Sequence, residues 1–148
     1  MKSKFVLFLT TIALFLTGCN SIKNENAIYA INNYDKQVIS LSAKSITNMV
    51  KEKFSFNLLI YTESCSYCNT AKENIDKVQK QINYAIYELE INEGTLDYLI
   101  EELPSVFNRE QIYPCLYIID KGEVSYIAQY NELMNSSQIK KMNLTYLK

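Results

Sequence analysis

The chain contains no histidine and no tryptophan, and it has only three glycines and two prolines among 148 residues. Without histidine there is no imidazole to act as a general base, to complete a Ser-His-Asp or Cys-His catalytic set, or to bind a metal. The three scattered glycines cannot form a glycine-rich phosphate loop, so the sequence does not support nucleotide binding. Covalent chemistry therefore falls first on the four cysteines.

An excess of charge of one sign is also lacking. Fifteen basic and sixteen acidic residues give a formal net charge of -1. No dense cluster of Lys and Arg is present to neutralise phosphates, so we expect no nucleic-acid partner. Hydrophobic residues make up 48% of the chain and charged residues 21%, which predicts one globular domain with a buried core.

The first 18 residues have the pattern of a secretory signal. Lys2 and Lys4 precede an apolar run over residues 5–16, and this run is too short to favour a retained membrane helix. The small residues before Cys19 resemble the lipobox of bacterial lipoproteins. That resemblance implies cleavage before Cys19 and lipid on its sulfur; the alternative is a plain secretory signal in which Cys19 is incidental.

We therefore predict three segments: a lipoprotein signal peptide at residues 1–18, a lipidated N-terminus and flexible tether at residues 19–36, and a folded domain at residues 37–148. The tether is polar and rich in Asn, with no sustained apolar period. The expected location is the outer side of the cell membrane, where disulfides persist.

Apolar patterns in the folded domain predict an α/β order, βαβαβαββα. Pro104 interrupts the third helix. The predicted strands cover residues 38–41, 54–61, 84–91, 115–119 and 124–130, and the predicted helices cover residues 45–53, 68–82, 96–103 and 136–147.

The motif Cys65-Ser66-Tyr67-Cys68 lies between a predicted buried strand and the start of a predicted helix. The unpaired amides and the positive end of the helix dipole favour an anion there, which lowers the pKa of the Cys65 thiol. The two-residue spacer lets Cys68 attack a mixed disulfide formed by Cys65. We predict that Cys65 is the nucleophile and Cys68 the resolving thiol.

Two alternatives for this cysteine pair are a structural disulfide and half of a zinc site. Structural zinc usually has four Cys or His ligands, whereas the predicted mature chain offers three free thiols and no His. A disulfide that closes so short a loop constrains the unfolded chain weakly. We therefore favour a redox role and expect no metal and no other cofactor.

The order of strand, CxxC, helix, and then Tyr113-Pro114 before the segment CLYIIDKGEV resembles the thioredoxin superfamily over about residues 38–148. The resemblance implies a central mixed β-sheet flanked by helices, and thiol-disulfide oxidoreductase activity. It also implies that the Tyr113-Pro114 bond is cis and faces the CxxC motif, with the backbone of Tyr113 pairing with bound substrate. The Tyr113 ring is either an aromatic wall of the substrate groove or surface filler.

Several neighbours are candidate modulators of the site. The spacer residues Ser66 and Tyr67 differ from the Gly-Pro of thioredoxin itself and are expected to tune the reduction potential. Glu63 is either a carboxylate that accepts a proton from the resolving thiol or a solvated loop charge. For Cys115 we favour core packing over a role as a third thiol, since free Cys is often buried.

The function predicted from the sequence is that of a membrane-anchored, extracytoplasmic thiol-disulfide oxidoreductase. Its partners are protein or peptide thiols and disulfides outside the cytoplasm, together with a membrane redox partner. The small lipobox-bearing form is also similar to accessory proteins of bacteriocin export. The alternative is a redox-inert lipoprotein that uses the same fold as a binding module, with its cysteines locked in a disulfide.

Overall fold

A computed structural model of the chain describes residues 38–82 and 84–147. The predicted signal peptide, Cys19 and the whole of the predicted tether lie outside the described residues. Within the two described ranges, no helix combines the length and the apolar character needed to cross a membrane.

The described residues form five strands and five helices in the predicted order, with one addition. The addition is a one-turn helix between the last strand and the C-terminal helix. The elements are β1 (Ile39–Ser40), α1 (Ala43–Lys51), β2 (Phe56–Tyr61), α2 (Ser66–Gln79), β3 (Ile86–Glu90), α3 (Glu93–Glu102), β4 (Cys115–Asp120), β5 (Glu123–Ala128), α4 (Tyr130–Leu133) and α5 (Ser136–Tyr146).

The strands form one mixed sheet in the order β1-β3-β2-β4-β5. The strands β1, β3 and β2 run parallel to one another, and β4 is antiparallel to both β2 and β5. This arrangement confirms the predicted α/β fold with a central mixed sheet. The carboxyl end of β2, from which the CxxC loop departs, lies at the centre of the sheet between β3 and β4.

Helices cover both faces of the sheet, and each face has its own apolar core. One core contains residues of α1 and α3, and the other contains residues of α2 and α5. Neighbouring residues of a strand point to opposite cores, because side chains alternate along a strand. In β4, Cys115 and Tyr117 point to the α1/α3 core, whereas Leu116 and Ile118 point to the α2/α5 core.

Three helices begin earlier than the apolar pattern predicted: α2 begins at residue 66 rather than 68, and α1 and α3 begin after polar N-caps. The Ser42 side chain accepts a hydrogen bond from the Ser45 amide at 3.2 Å, so α1 begins at residue 43 rather than 45. The Asn92 side chain does the same for the Thr95 amide at 2.9 Å, so α3 begins at residue 93 rather than 96. The polar first turns of these helices lie outside the apolar periodicity.

The last strand also ends earlier than predicted, at Ala128 rather than at residue 130. A capping interaction starts the short helix α4 at this point. The Gln129 amide donates to a Glu132 carboxylate oxygen at 2.9 Å, and the other oxygen of that carboxylate accepts from the Tyr126 hydroxyl at 2.6 Å.

Candidate active site

The CxxC motif lies where the sequence predicted it, at the junction between a buried strand and a helix. After β2 the chain turns at Ser64, which has a φ of +62°. Cys65 then forms the N-cap of α2 with an extended backbone, and its carbonyl accepts hydrogen bonds from the amides of Cys68 and Asn69 at 3.1 and 3.4 Å. The start of the helix therefore fixes the position of both sulfurs.

Cys65 and Cys68 form a disulfide, with a Cα–Cα distance of 5.2 Å. The two sulfurs differ in their access to solvent: Cys68 is 2% exposed, whereas Cys65 is half-buried. A substrate thiol therefore reaches the bond more readily at Cys65. This difference fits the predicted roles of nucleophile for Cys65 and resolving thiol for Cys68, which stay predictions.

The backbone around Cys65 can stabilise a negative sulfur. The Cys68 amide donates to the Cys65 Sγ at 3.2 Å. The first turn of α2 contains no acidic residue that would oppose the positive end of the helix dipole. In the absence of histidine, this helix end supplies the stabilisation that an imidazole gives in other cysteine enzymes.

The Tyr113-Pro114 peptide bond is cis, which confirms what the resemblance implied. The next residue, Cys115, begins β4 and pairs in register with Ile60 of β2. Pro114 therefore lies beside the end of β2, next to the loop that leads to the CxxC motif. No backbone hydrogen bond within the described residues involves Tyr113, so its amide and carbonyl are free to pair with a substrate chain.

The Tyr113 side chain is half-buried and packs against the α1/α3 core. Burial raises the pKa of its hydroxyl, and the neighbouring Cys115 contributes in the same direction. This packing does not fit surface filler. A role of the Tyr113 ring as a wall of the substrate groove stays a prediction.

Cys115 is a free, fully buried cysteine that points to the α1/α3 core. The helix α2, which carries Cys68, packs on the opposite face of the sheet. Burial raises the pKa of the Cys115 thiol to about 12. This burial fits the favoured packing interpretation, and the role of Cys115 stays a prediction.

Glu63 is exposed and forms no hydrogen bond or ion pair with another of the described residues. It behaves as a solvated loop charge, which was one of the two interpretations from the sequence. Ser66 is likewise exposed, on the outer side of the first turn of α2.

The spacer residue Tyr67 contributes to an exposed aromatic surface beside the disulfide. Its ring is 59% exposed, and its centroid lies 5.6 Å from that of Tyr130, which is 41% exposed. The sequence analysis did not identify Tyr130, because it lies 63 positions after Tyr67, in the short helix that the apolar pattern missed. Within the described residues, no cluster of three or more Cys, Asp or Glu side chains is placed to hold a metal ion.

No protein-family model matches the chain, and no sequence of a curated protein matches it. Solved structures do match. A thioredoxin mutant from Halobacterium salinarum has a TM-score of 0.59 at 11% identity, over 76% of this chain and 93% of that one. Thioredoxin from Aeropyrum pernix has a TM-score of 0.58 at 14% identity, over 75% and 88% of the two chains. Oxidized thioredoxin O1 from Arabidopsis thaliana has a TM-score of 0.57 at 16% identity, over 75% and 98%. The chain therefore has a thioredoxin-like fold, with the Cys65–Cys68 disulfide at the start of a central helix.

Proposed function

We propose that the protein is a membrane-anchored thiol-disulfide oxidoreductase that acts on protein or peptide thiols outside the cytoplasm. The observation that carries this proposal is the disulfide at the N-terminus of α2, in which one sulfur is accessible and the other is buried. The similarity to thioredoxin structures supports it, because this chain combines that fold with a CxxC pair of its own.

In the oxidising direction, a substrate thiolate attacks the Cys65 sulfur and forms a mixed disulfide. The Cys65–Cys68 bond breaks, and Cys68 leaves as a thiolate that takes up a proton. A second substrate thiolate then attacks the substrate sulfur of the mixed disulfide and releases Cys65 as a thiolate. Two electrons pass from the substrate dithiol to the protein, and the reverse sequence reduces a substrate disulfide.

The surface around Cys65 fits a polypeptide substrate. An extended segment can pair with the free backbone groups of Tyr113 while its cysteine lies against Cys65. The exposed rings of Tyr67 and Tyr130 offer apolar contact area on the α2 side of the disulfide. Recognition of this kind favours chains with apolar residues beside the reacting cysteine.

The proposed location rests on the sequence pattern that precedes the described residues. Lipid on Cys19 and the segment to residue 36 would hold the domain near the membrane surface, within reach of chains that are being exported. The small lipobox-bearing form is similar to accessory proteins of bacteriocin export. We therefore propose that the protein acts in the maturation or export of small secreted peptides.

Trapping of mixed disulfides tests the proposed activity. Cys68→Ala should accumulate mixed disulfides through Cys65 when the chain is incubated with oxidised peptide substrates, because no resolving thiol remains. Cys65→Ser should accumulate none, and Cys115→Ala in the Cys68→Ala background should leave the yield unchanged. The measurement is non-reducing electrophoresis with mass identification of the adducts.

Three results would change the proposal. Adducts that form only in Cys65→Ser would reverse the two roles. A yield that depends on Cys115 would contradict its packing role. A disulfide that resists a dithiol reductant, with no adducts in any variant, would favour the redox-inert binding module instead.

A further inference from the structure

A partly buried ion pair lies on the face of the sheet that carries the CxxC helix. The Lys72 Nζ is 3.1 Å from a Glu88 carboxylate oxygen, and the two side chains are 32% and 18% exposed. The same Nζ lies 3.3 Å from the centroid of the Tyr61 ring. The other two ion pairs of the described residues are more exposed, so this one is the most shielded from solvent.

Lys72 is one helical turn after Cys68 on α2. Side chains at this spacing lie on the same side of a helix, and a long side chain leans towards the N-terminal turn. Its contact with Tyr61, the last residue of β2, places the ammonium between that turn and the strand that leads to Cys65. The charge of Lys72 therefore lies on the side of α2 that carries Cys68, over the last residue of the strand that leads to the motif.

Glu88 is held on the same face of the sheet. It is the register partner of the buried Leu59 in β2, and both side chains point towards α2. One Glu88 oxygen binds Lys72, and the other accepts a hydrogen bond from the Ser40 hydroxyl at 2.8 Å. The carboxylate is thereby tied to both β1 and α2.

Lys72 keeps its charge in this position. Burial alone would lower the pKa of the Lys72 ammonium, but its interactions with Tyr61 and with Glu88 outweigh that effect and hold the pKa above the ordinary value. The pair therefore consists of a full positive charge on the CxxC helix and a carboxylate on the strand beside it.

We propose that Lys72 is a positioning residue for disulfide exchange: its charge stabilises the thiolate of the reduced Cys65/Cys68 pair, and Glu88 limits that effect. This inference rests on the proposed function. Reduction by glutathione consumes two glutathione thiols and yields one glutathione disulfide and the reduced cysteine pair. One sulfur of this pair is a thiolate, the other carries one of the two glutathione protons, and the second proton is released to solvent. A nearby cation favours that product, and a nearby carboxylate opposes it.

The other charged groups near the motif lie farther along α2 or are more exposed to solvent than the Lys72–Glu88 pair. The Lys72–Glu88 pair lines a groove of about 520 Å³, and Asp76 and Lys80 line it too. Asp76 and Lys80, however, lie two and three helical turns after Cys68. Glu63 is exposed to solvent on the loop before Cys65. These groups are farther away or better screened, so they affect the sulfurs less.

The test is the equilibrium between the full-length chain, purified in detergent, and glutathione buffers of known ratio. The fraction of reduced protein is read by acid quenching, alkylation and mass spectrometry. Lys72→Met keeps the apolar stem over Tyr61 and should lower the equilibrium constant for reduction about threefold. Glu88→Gln leaves the cation unopposed and should raise this constant by about the same factor.

The double variant should return near the wild-type value, because the two charges largely cancel. Lys72→Arg keeps the charge and should match wild type, and Lys80→Met is the control for loss of a lysine from the same groove. Shifts of the two single variants in the same direction, or a shift in Lys80→Met as large as in Lys72→Met, would overturn the proposal. If Lys72→Met fails to fold, Glu88→Gln and Lys72→Arg decide alone.

A failure of the proposed function gives a different result. In that case wild type would still equilibrate with glutathione but would form no adducts with peptide thiols in the trapping assay. Opposite shifts in Lys72→Met and Glu88→Gln would then still support the electrostatic role, since the equilibrium measurement needs no polypeptide substrate. The pH midpoint of Cys65 alkylation should move up in Lys72→Met and down in Glu88→Gln.

Discussion

Cys68 and Cys115 lie near the same end of the sheet but on opposite sides of it. Cys68 is on α2, whereas the Cys115 side chain points to the α1/α3 core and is fully buried. The alternation of side chains along β4 decides this, since Leu116 points to the α2 side instead. A shift of β4 by one residue would place a third sulfur against the CxxC helix.

The buried Cys115 thiol predicts a stability change at alkaline pH. Burial raises its pKa to about 12 from an ordinary value of 9.0, so only the unfolded chain loses this proton just above pH 9. The stabilisation of the folded state that is linked to this buried thiol is fully present below pH 9. It is lost as the pH rises towards 12, and the free energy of unfolding then falls by up to about 1.4 kcal/mol per pH unit. In Cys115→Ala, the free energy of unfolding should therefore fall less steeply between pH 9 and 10.5.

Urea denaturation of the oxidised protein at several pH values measures this difference. Leu116→Val is the control, because it alters the neighbouring buried position without removing a titrating group. Cys115→Ala and wild type should differ by about 1 kcal/mol at pH 7, from the loss of one buried sulfur atom. Parallel pH profiles of the two proteins would contradict the burial assigned to Cys115.

The sequence identified the residues whose role depends on local structure and missed those whose role depends on strand pairing. Cys65 and Cys68 were predictable because a strand, a CxxC motif and a helix follow one another along the chain. The contact between Lys72 and Glu88 depends on which strand lies beside β2 and in what register. Tyr130 reaches Tyr67 only through the fold.

Among the elements, the β4–β5 hairpin shows how a turn is fitted to a helix end. Lys121 and Gly122 both have positive φ values, 51° and 78°, as a type I′ hairpin turn requires. The Gly122 amide donates to the Phe54 carbonyl at 3.0 Å, just after α1. This contact ties the hairpin to the segment between α1 and β2.

Gly122→Ala should therefore destabilise the domain. A Cβ at this position would lie 2.4 Å from the Val50 carbonyl oxygen, and the backbone conformation is one that alanine disfavours. We expect the free energy of unfolding to fall by about 2–4 kcal/mol, as measured by urea denaturation.

Gly94→Ala is the matched control, with the opposite expected sign. Gly94 lies in α3, and an added Cβ would meet nothing closer than the Asn92 side-chain oxygen at 3.7 Å. Alanine is favoured over glycine in a helix by about 1 kcal/mol, so this variant should be as stable as wild type or more stable. Equal stability of the two variants would mean that the hairpin does not pack tightly on α1.

Element boundaries were predicted less well than element types. The apolar period gave every strand and the four longer helices, but the N-caps Ser42 and Asn92 set the starts of α1 and α3. The helix α4 has four residues, too few to show a helical period, and depends on the capping contact between Gln129 and Glu132. Polar capping groups carry boundary information that apolar periodicity lacks.

At the scale of the whole molecule, the architecture persists at very low sequence identity. The similar thioredoxin structures share 11–16% of their residues with this chain, yet cover three quarters of it. The arrangement of the sheet therefore does not depend on the identity of most individual side chains. In this chain, the groups that we propose to set its function include the Lys72–Glu88 pair and the aromatic surface of Tyr67 and Tyr130.

The last prediction concerns where the molecule works. If Cys19 carries the proposed lipid, a labelled fatty acid should be incorporated into the full chain in a bacterial host and not into Cys19→Ser. Two or more acyl chains anchor a protein stably, whereas one gives marginal binding, so wild type should remain in the membrane fraction after a high-salt wash.

The same cells report the side of the membrane on which the active site lies. After mild reduction, a membrane-impermeant thiol reagent should modify Cys65 in intact cells, whereas buried Cys115 should react only after denaturation. A Cys65→Ser variant gives the background. Absence of the labelled fatty acid from wild type would exclude the lipid anchor. Modification of Cys65 by the thiol reagent only after lysis would place the active site in the cytoplasm. There, thiols are kept reduced, so the pair would have to act as a reductant.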